Sequence, residues 1–202
     1  MFGLGKHTEL QTERLTLRPA RLSDYAAWGR ARRESRDFLK PWEPTWSTDH
    51  LTKGAFKHRV HWGRKAIRME RAWPFLLFLR TDQDEYAAGA LAGAVTLDNI
   101  RRGPAQSATV GYWTTAGLAR RGYMREALNE VKRFAFDDLG LGRLEAGCLP
   151  ENEPSRALLE KCGFKYEGVA QAYLQIDGRW RDHVLYAALR GDRRGRVETP
   201  EL

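Results

Sequence analysis

The segment from residue 107 to residue 136, SATVGYWTTAGLARRGYMREALNEVKRFAF, constrains the fold of this chain more than any other. Its first seven residues have the apolar character and length of a buried strand. A loop with two arginines and a glycine follows, and beyond it apolar residues recur at helical spacing. The order strand, glycine loop and amphipathic helix predicts an α/β unit in which the helix begins directly behind the strand. The apolar helix positions are Ala127, Leu128, Val131, Phe134 and Ala135.

The loop in this unit has the features of an anion-binding site. The first backbone N–H groups of a helix have no partner within the helix and carry a positive partial charge. Gly122 has no Cβ, so an oxygen atom can approach the chain closely. We therefore expect a diphosphate to bind the amides of Arg120 to Met124; the alternative is an ordinary solvent-exposed loop. The chain has no P-loop sequence, and the GLGRLE segment precedes a strand, which excludes a dinucleotide fingerprint.

The N-terminal half predicts a strand, two helices and two more strands. RLTLRP alternates polar and apolar residues, which is typical of a strand. Ser23 is the expected start of the first helix, and Ser47 or Thr48 that of a second helix ending near Met69. WPFLLFLR and AAGALAGAVTLDNI then predict two strands.

The C-terminal half predicts a strand, a helix and a hairpin. RLEAGCL indicates a strand with Leu144 and Cys148 on one face and Glu145 on the other. A short helix begins near Asn152, and the Asp-Gly pair at 177–178 predicts a β-hairpin. The complete order β-α-α-β-β-β-α-β-α-β-β, without internal repeats, predicts one α/β domain with a mixed sheet.

Length, charge and cysteine content narrow the classes of protein. The 202 residues fit one large domain, and we expect a core over about residues 11–190 and a mobile tail over 191–202. The net charge of +8 favours an anionic partner, whether nucleic acid, a ribosome or a phosphorylated cofactor, although a merely basic surface is the alternative. No apolar run approaches the ~18 residues of a membrane span, no secretory signal pattern is present, and two cysteines give no disulfide framework. We therefore expect a cytoplasmic protein without membrane contact.

Two motifs and two flanking segments resemble a known family. The pattern Q/R-x-x-G-x-G/A falls on residues 119–124, where Gly122 matches and Ala119 and Met124 depart from it. The pattern N-x-x-A/S…L-Y-x-K-x-G-F falls on residues 152–164, with Leu159 where a tyrosine is usual. With these motifs the chain resembles the GNAT acyltransferase family. FLKPWEP and YLQIDGRWRDHVLYA are similar to its RimJ-type branch, whose members acetylate the N-terminal amine of ribosomal proteins, and the resemblance covers about residues 11–190.

The resemblance implies a fold and a cosubstrate. The fold would be a single α/β (α+β) domain over residues 1–202, with a mixed, mostly antiparallel sheet, a splayed pair of parallel strands and helices on both faces. Acetyl-CoA would lie between the splayed strands, and no metal is implied. The residues expected to bind acetyl-CoA are Tyr112, Trp113, Ala119, Arg120, Arg121, Gly122, Tyr123, Met124, Asn152 and Ser155.

Acetyl transfer needs donors for the developing oxyanion and a proton for the leaving thiolate. A backbone N–H near Tyr112 and Trp113 can stabilise the oxyanion. Many relatives supply the proton from the tyrosine that Leu159 replaces, so the candidate donor here is Ser155. The alternative for Ser155 is a residue that only bonds the backbone at the start of the helix.

The general base and the acceptor site remain open in the sequence. Ala172 stands where some relatives carry an acid, so the candidates are Glu145 acting through water, Glu43 in the PWEP segment, or a water chain alone. Glu43 is also expected to bind the acceptor, together with Trp42 and Tyr173. The structural alternatives are a salt-bridged Glu145, a loop carboxylate at Glu43 and core aromatics.

Three functions remain in view. The first is acetyl transfer from acetyl-CoA to a primary amine, above all the N-terminal α-amine of a protein such as a ribosomal protein. The second changes the acceptor to a lysine, an aminoglycoside or another small amine. The third is a ribosome- or RNA-binding protein with little catalysis.

The sequence predicts no metal site, because His58 and His61 share a helix face without a third ligand. It leaves open whether the protein associates with the ribosome and whether it is a monomer or a homodimer.

Overall fold

A computed structural model of the chain describes residues 8–191; apart from Gly191, the predicted tail therefore lies outside the described residues. The strands in this range are β1 (Leu10–Gln11), β2 (Leu15–Arg18), β3 (Trp73–Leu79), β4 (Leu91–Arg101), β5 (Ser107–Thr114), β6 (Arg143–Cys148), β7 (Lys165–Ile176) and β8 (Arg179–Leu189). The α-helices are α1 (Tyr25–Glu34), α2 (Arg36–Leu39), α3 (Lys53–Arg68), α4 (Tyr123–Arg133) and α5 (Glu153–Lys161). Among these helices, none is long and apolar enough to cross a membrane.

The eight strands form one mixed sheet in the order β1-β2-β3-β4-β5-β6-β8-β7. All neighbouring strands are antiparallel except β5 and β6, which are parallel. This pair is joined only over Ser107–Thr109 and Arg143–Glu145 in the described chain, and beyond these residues the two strands diverge. The predicted mostly antiparallel sheet with a splayed parallel pair is therefore confirmed.

Helices cover both faces of the sheet, as expected. On one face, α4 and α5 pack against the sheet through a large core that includes Leu128, Val131 and Leu159. On the other face, α1 and α3 bury Trp28 and Phe56 against β3 and β4. Strand residues alternate between these faces, so neighbouring positions on β5 and β6 point toward different helices. We call the two sides the α4/α5 face and the α1/α3 face.

Both N-terminal helices begin later than the sequence predicted. Ser23 lies in a 3₁₀ turn, and α1 follows Asp24, whose carboxylate accepts a hydrogen bond from the Arg21 backbone N–H at 2.7 Å. Helix α3 is capped by Thr52, whose hydroxyl accepts from the Ala55 N–H at 3.1 Å, and not by Ser47 or Thr48. Tertiary contacts of the residues before Thr52 hold them in turns, which overrides their capping preference. The short strand β1 was not predicted.

Candidate active site

The loop before α4 has the predicted shape for binding an anion. Gly122 is the N-cap of α4 with φ +84°, and Arg120 also has a positive φ of 61°. The first hydrogen bond of the helix runs from the Glu126 N–H to the Gly122 carbonyl. No side chain of residues 8–191 caps the helix at this end. The N–H groups of the first helical turn therefore have no acceptor within the helix, which is the arrangement that binds phosphate oxygens.

Arg14, in the N-terminal segment, contacts this loop and the first turn of α4. Its Nη1 donates to the Arg121 carbonyl at 3.1 Å, and its Nε donates to Glu126 Oε2 at 2.8 Å. The guanidinium also lies 4.5 Å from the centre of the Tyr123 ring. Burial raises the pKa of Glu126, but hydrogen bonds from Thr12 and Arg14 outweigh this effect and the net pKa is lowered. The sequence gives no local signal for this contact, because Arg14 lies 107 residues from Arg121.

Several of the predicted cofactor residues have side chains that are committed elsewhere. Tyr123 and Met124 are buried in the core, so only their backbone groups face the loop. The Arg121 guanidinium pairs with Asp84 and with Glu85, at 3.8 Å, in the turn between β3 and β4. Arg120, in contrast, has an exposed side chain. The loop therefore offers an anion its backbone N–H groups and, at Arg120, an exposed positive charge. Ala119 lies immediately before it, at the end of a 3₁₀ turn.

The gap between β5 and β6 brings Tyr112, Asn152 and Ser155 together on the α4/α5 face. Asn152 caps α5 as predicted, with its Oδ1 accepting from the Ser155 N–H at 3.2 Å. This places Ser155 in the first turn of α5, where its hydroxyl lies 2.7 Å from the Tyr112 hydroxyl. The Cys148 thiol at the end of β6 lies beside the same serine. A hydroxyl pair thus faces the space between the diverging strands.

The protonation states at this gap follow from burial. Burial raises the pKa of Tyr112, although the hydrogen bond to Ser155 opposes the shift. Burial also raises the pKa of Cys148 to about 11, so this residue is a neutral thiol at physiological pH. A neutral buried thiol is a poor nucleophile, so Cys148 is a core residue and not a candidate nucleophile. Tyr112 and Ser155 are both protonated and together have a proton to donate.

A cavity of about 760 Å³ opens on the opposite, α1/α3 face of the same strands. Thr109 and Glu145, which end the paired part of β5 and β6, line it together with Tyr173. Both Glu145 oxygens are paired, one with Arg101 and one with Arg143, each at 2.8 Å. The other lining residues are Trp62, Lys65, Ala66, Met69, Arg71, Ala72, Asp98, Asn99, Ile100 and Arg101.

Tyr173 reaches the cavity because β7 is interrupted at this point. The register between β7 and β8 shifts between Ala170 and Leu174, and Ala172 has a positive φ of 47°. The Ala172 N–H donates to Asp182 Oδ1 at 2.8 Å, which holds the irregular turn. Tyr173 packs edge-on against His183, with ring centres 5.5 Å apart. An acid therefore lies beside Ala172 in space, although the sequence position itself carries none.

Glu43 lies in a dense charged and aromatic cluster on the α1/α3 face. Its carboxylate receives both terminal nitrogens of Arg32 and, at 2.7 Å, the Trp46 indole N–H. The Arg32 guanidinium lies 4.4 Å from the centre of Trp46 and 4.7 Å from that of Trp113 on β5. Burial, followed by the charges of Arg32 and Arg59, lowers the pKa of the neighbouring His50 to about 4.

The same loop also touches the tip of the last hairpin. We call residues 40–48 the acceptor-side loop, because the sequence analysis predicts that Trp42 and Glu43 bind the acceptor. Its Glu43 carbonyl accepts the Asp177 N–H, in the turn between β7 and β8, at 3.1 Å. That turn extends past the C-terminal end of β6, since Cys148 pairs with Val184 well inside β8. The acceptor-side loop thus links the Trp113 end of β5 to the hairpin and bridges the mouth of the gap. Trp42 in this loop is half-buried.

The structure therefore separates the predicted residues into three groups. The predicted cosubstrate residues lie at the gap and the α4 N-terminus, except that the Trp113 ring faces Arg32. Glu145 and Tyr173 line the cavity on the α1/α3 face, whereas Glu43 lies with Arg32 outside the cavity lining. The sequence reading missed Arg14 and Arg32, whose contacts depend on the fold. Among residues 8–191 no three His, Cys, Asp or Glu side chains cluster as metal ligands.

Comparison with known proteins agrees with this geometry. Residues 14–165 match the family model described as Acetyltransferase (GNAT) domain. The chain is 34% identical to the Escherichia coli ribosomal protein uS5-alanine N-acetyltransferase, over 93% of this chain and 95% of that protein. It is 31% identical to the probable N-acetyltransferase YjcK of Bacillus subtilis, over 91% and 98%. The structure of Mycobacterium smegmatis RimJ in complex with CoA-disulfide superposes with a TM-score of 0.82 at 32% identity, over 94% of this chain and 90% of that one. The chain therefore belongs to the GNAT acetyltransferase family and is an acetyl-CoA-dependent N-acetyltransferase.

Proposed function

We propose that this protein acetylates the N-terminal α-amine of a protein, with a ribosomal protein as the acceptor. Relatives that match almost the whole chain at 32% and 34% identity bear the names RimJ and ribosomal protein uS5-alanine N-acetyltransferase. The proposal places the enzyme in the cytoplasm, in association with ribosomal proteins. Its net charge of +8 favours approach to the anionic surface of a ribosome.

The charge of the cavity on the α1/α3 face is the observation that carries the proposal. Its lining contains three basic side chains, Lys65, Arg71 and Arg101, against two acidic ones, Asp98 and Glu145. A site for an aminoglycoside or a lysine-rich segment requires an acidic lining, because such acceptors carry several positive charges. A single neutral amine at the end of a chain has no such requirement.

The chemistry starts from an amine that is already partly neutral. An α-amino group has a pKa of about 7.7–8.0, whereas a lysine side chain has about 10.4. The amine nitrogen attacks the thioester carbonyl, a C–N bond forms, and the C–S bond then breaks to release coenzyme A. Beyond Thr109, the edge of β5 that faces β6 has no strand partner in the described chain, so its backbone N–H groups near Tyr112 and Trp113 can stabilise the oxyanion.

Ser155 and Tyr112 would protonate the departing sulfur. The Ser155 hydroxyl faces the gap at the start of α5, and the protonated Tyr112 hydroxyl lies 2.7 Å behind it. As Ser155 gives its proton to the thiolate, Tyr112 replaces it, and the proton released by the attacking amine returns to Tyr112 through water, so that neither oxygen stays charged. The thiol pKa of about 8.5 makes the thiolate a good leaving group, so this help is modest.

The two acidic candidates have different proposed roles. Glu145 would guide the amine proton away through water, although both of its oxygens already accept from Arg101 and Arg143. Glu43 would orient the incoming amine together with Trp42 and Tyr173.

The test is an acceptor comparison with peptides that carry both an α-amine and an internal lysine. Each peptide is supplied free and with a blocked N-terminus, and the acetylated atom is located by mass spectrometry. We expect label on the α-amine of the free peptide and almost none on the blocked one. Label mainly on lysine, or turnover only with small amines, would contradict the proposed acceptor.

A further inference from the structure

We infer that Arg32 is a positioning residue of the acceptor site: its buried guanidinium holds Glu43, Trp46 and Trp113 as one rigid wall beside the end of β5. The inference rests on the proposed function only in that an amine enters from the α1/α3 face. Arg32 belongs to neither motif of the family resemblance and is 4% exposed. Its effect is expected on the acceptor and not on acetyl-CoA.

The contacts of Arg32 fix three partners at once. Its Nη1 and Nη2 each donate to one Glu43 oxygen, the first at 2.8 Å, so the carboxylate is gripped in a bidentate pair. The flat cation lies within 4.7 Å of the ring centres of both Trp46 and Trp113. Because Trp113 belongs to β5 and Glu43 to the acceptor-side loop, one guanidinium sets the position of the loop relative to the strand.

Two further basic side chains surround the Arg32–Glu43 pair. One is Arg59, whose pKa is lowered by burial and then by the charge of Arg32. His50 stays neutral because burial and the two arginines lower its pKa. Arg32 Nε has no hydrogen-bond partner among the described residues. Loss of either charge would therefore leave the other buried without compensation, and the acceptor-side loop would shift.

The role of Glu43 in this cluster differs from that of a general base. The Glu43 carboxylate already accepts two guanidinium donors and one indole donor, which occupy three of the roughly four acceptor sites of a carboxylate. The cluster of Arg32, Glu43 and Trp46 instead provides a fixed surface. The loop it anchors also bonds the Asp177 N–H at the hairpin, so displacement at Arg32 is transmitted across the mouth of the gap.

The experiment compares Arg32→Met with a matched control, Arg18→Met. Arg18 also grips a carboxylate through two nitrogens, to Asp24 at 2.7 and 2.8 Å, and also stacks on a ring, that of Phe78 at 4.1 Å. It lies on β2, on the far side of β3 and β4 from the gap. Steady-state kinetics with the best amine acceptor and calorimetry with acetyl-CoA are measured on both variants, with folding checked by circular dichroism.

We expect Arg32→Met to lower kcat/KM for the acceptor by about 10- to 100-fold, because small misplacements of a positioning group have effects of this size. Arg18→Met should change it by no more than about twofold, and acetyl-CoA affinity should stay within about twofold in both variants. Arg32→Lys should restore only part of the loss, since lysine keeps the charge but not the bidentate grip. The loss in Arg32→Met with Glu43→Gln should be smaller than the product of the two single losses.

Equal acceptor kinetics in the Arg32 and Arg18 variants would overturn the inference, as would losses that multiply in the double variant. If Arg32→Met does not fold, Arg32→Lys and Glu43→Gln provide the same comparison. The result does not depend on which amine is preferred. An enzyme that acetylates lysine or a small amine disproves the proposed acceptor, and the loss at Arg32 is then measured with that amine.

Discussion

The positive φ of Gly122 leads to a quantitative prediction for Gly122→Ala. An L-residue in the left-handed region costs about 1–2 kcal/mol, and the new Cβ would lie 3.3 Å from Arg14 Nη2. No side chain of residues 8–191 caps α4, so without ligand the loop can leave this strained conformation by giving up the bond from Arg14 Nη1 to the Arg121 carbonyl. Acetyl-CoA must then pay to restore it, and 1–2 kcal/mol corresponds to an affinity loss of about 5- to 30-fold.

The control for this prediction is Gly89→Ala. Gly89 has the same φ of +84°, and a Cβ there would meet no atom within 4 Å. It lies at the β4 end of the turn between β3 and β4, where its N–H bonds the Leu79 carbonyl, and not at Asp84 and Glu85, which pair with Arg121. Its substitution should therefore lower the free energy of unfolding and leave binding unchanged. Calorimetry with acetyl-CoA and urea denaturation separate the two effects. Wild-type affinity in a folded Gly122→Ala protein, or equal affinity losses in both variants, would refute the role of this loop.

Three other predictions follow from the site. Ser155→Ala should lower kcat by about 10- to 100-fold, the low end for a proton donor, with acetyl-CoA affinity unchanged; pre-steady-state kinetics must show that chemistry limits turnover. Replacing Asp84 and Glu85 with their amides should tighten acetyl-CoA binding at low salt, because it frees the Arg121 guanidinium, and the gain should fade as salt is added. His50 has a pKa of 6.5 in the unfolded state and about 4 in the folded state, so the unfolded state binds more protons between these pH values. The contribution of neutral His50 to the free energy of unfolding is therefore complete above pH 6.5 and is lost toward pH 4. In His50→Gln, the urea-denaturation midpoint should depend less on pH over that window.

Features that depend on neighbouring residues could be predicted from the sequence. The Asn152 cap of α5 and the turn at 177–178 each lie within a few residues of their own signal. The strand-loop-helix unit around Gly122 is also local, and α4 begins directly after Gly122 as predicted. Each of these features follows from capping and turn preferences that operate within one or two turns of chain.

Features that depend on tertiary contacts could not be predicted. Ser47 and Thr48 have the chemistry of helix caps, but Arg32 of α1 binds Glu43 and lies 3.4 Å from His50 Nε2, and α3 starts only after Thr52. Glu43 reads in the sequence as a free loop carboxylate, whereas a buried arginine from α1 neutralises it. A single sequence contains the residue types of such clusters but not their proximity.

The divergence of β5 from β6 creates two unpaired strand edges inside the sheet. Unpaired edges are templates on which another chain can add a strand, and proteins normally cover them. We expect acetyl-CoA, bound in the gap between the two strands, to serve as that cover during each catalytic cycle. Enzyme stored without acetyl-CoA or coenzyme A should therefore self-associate faster than the loaded form, and light scattering in the presence and absence of coenzyme A would measure this difference.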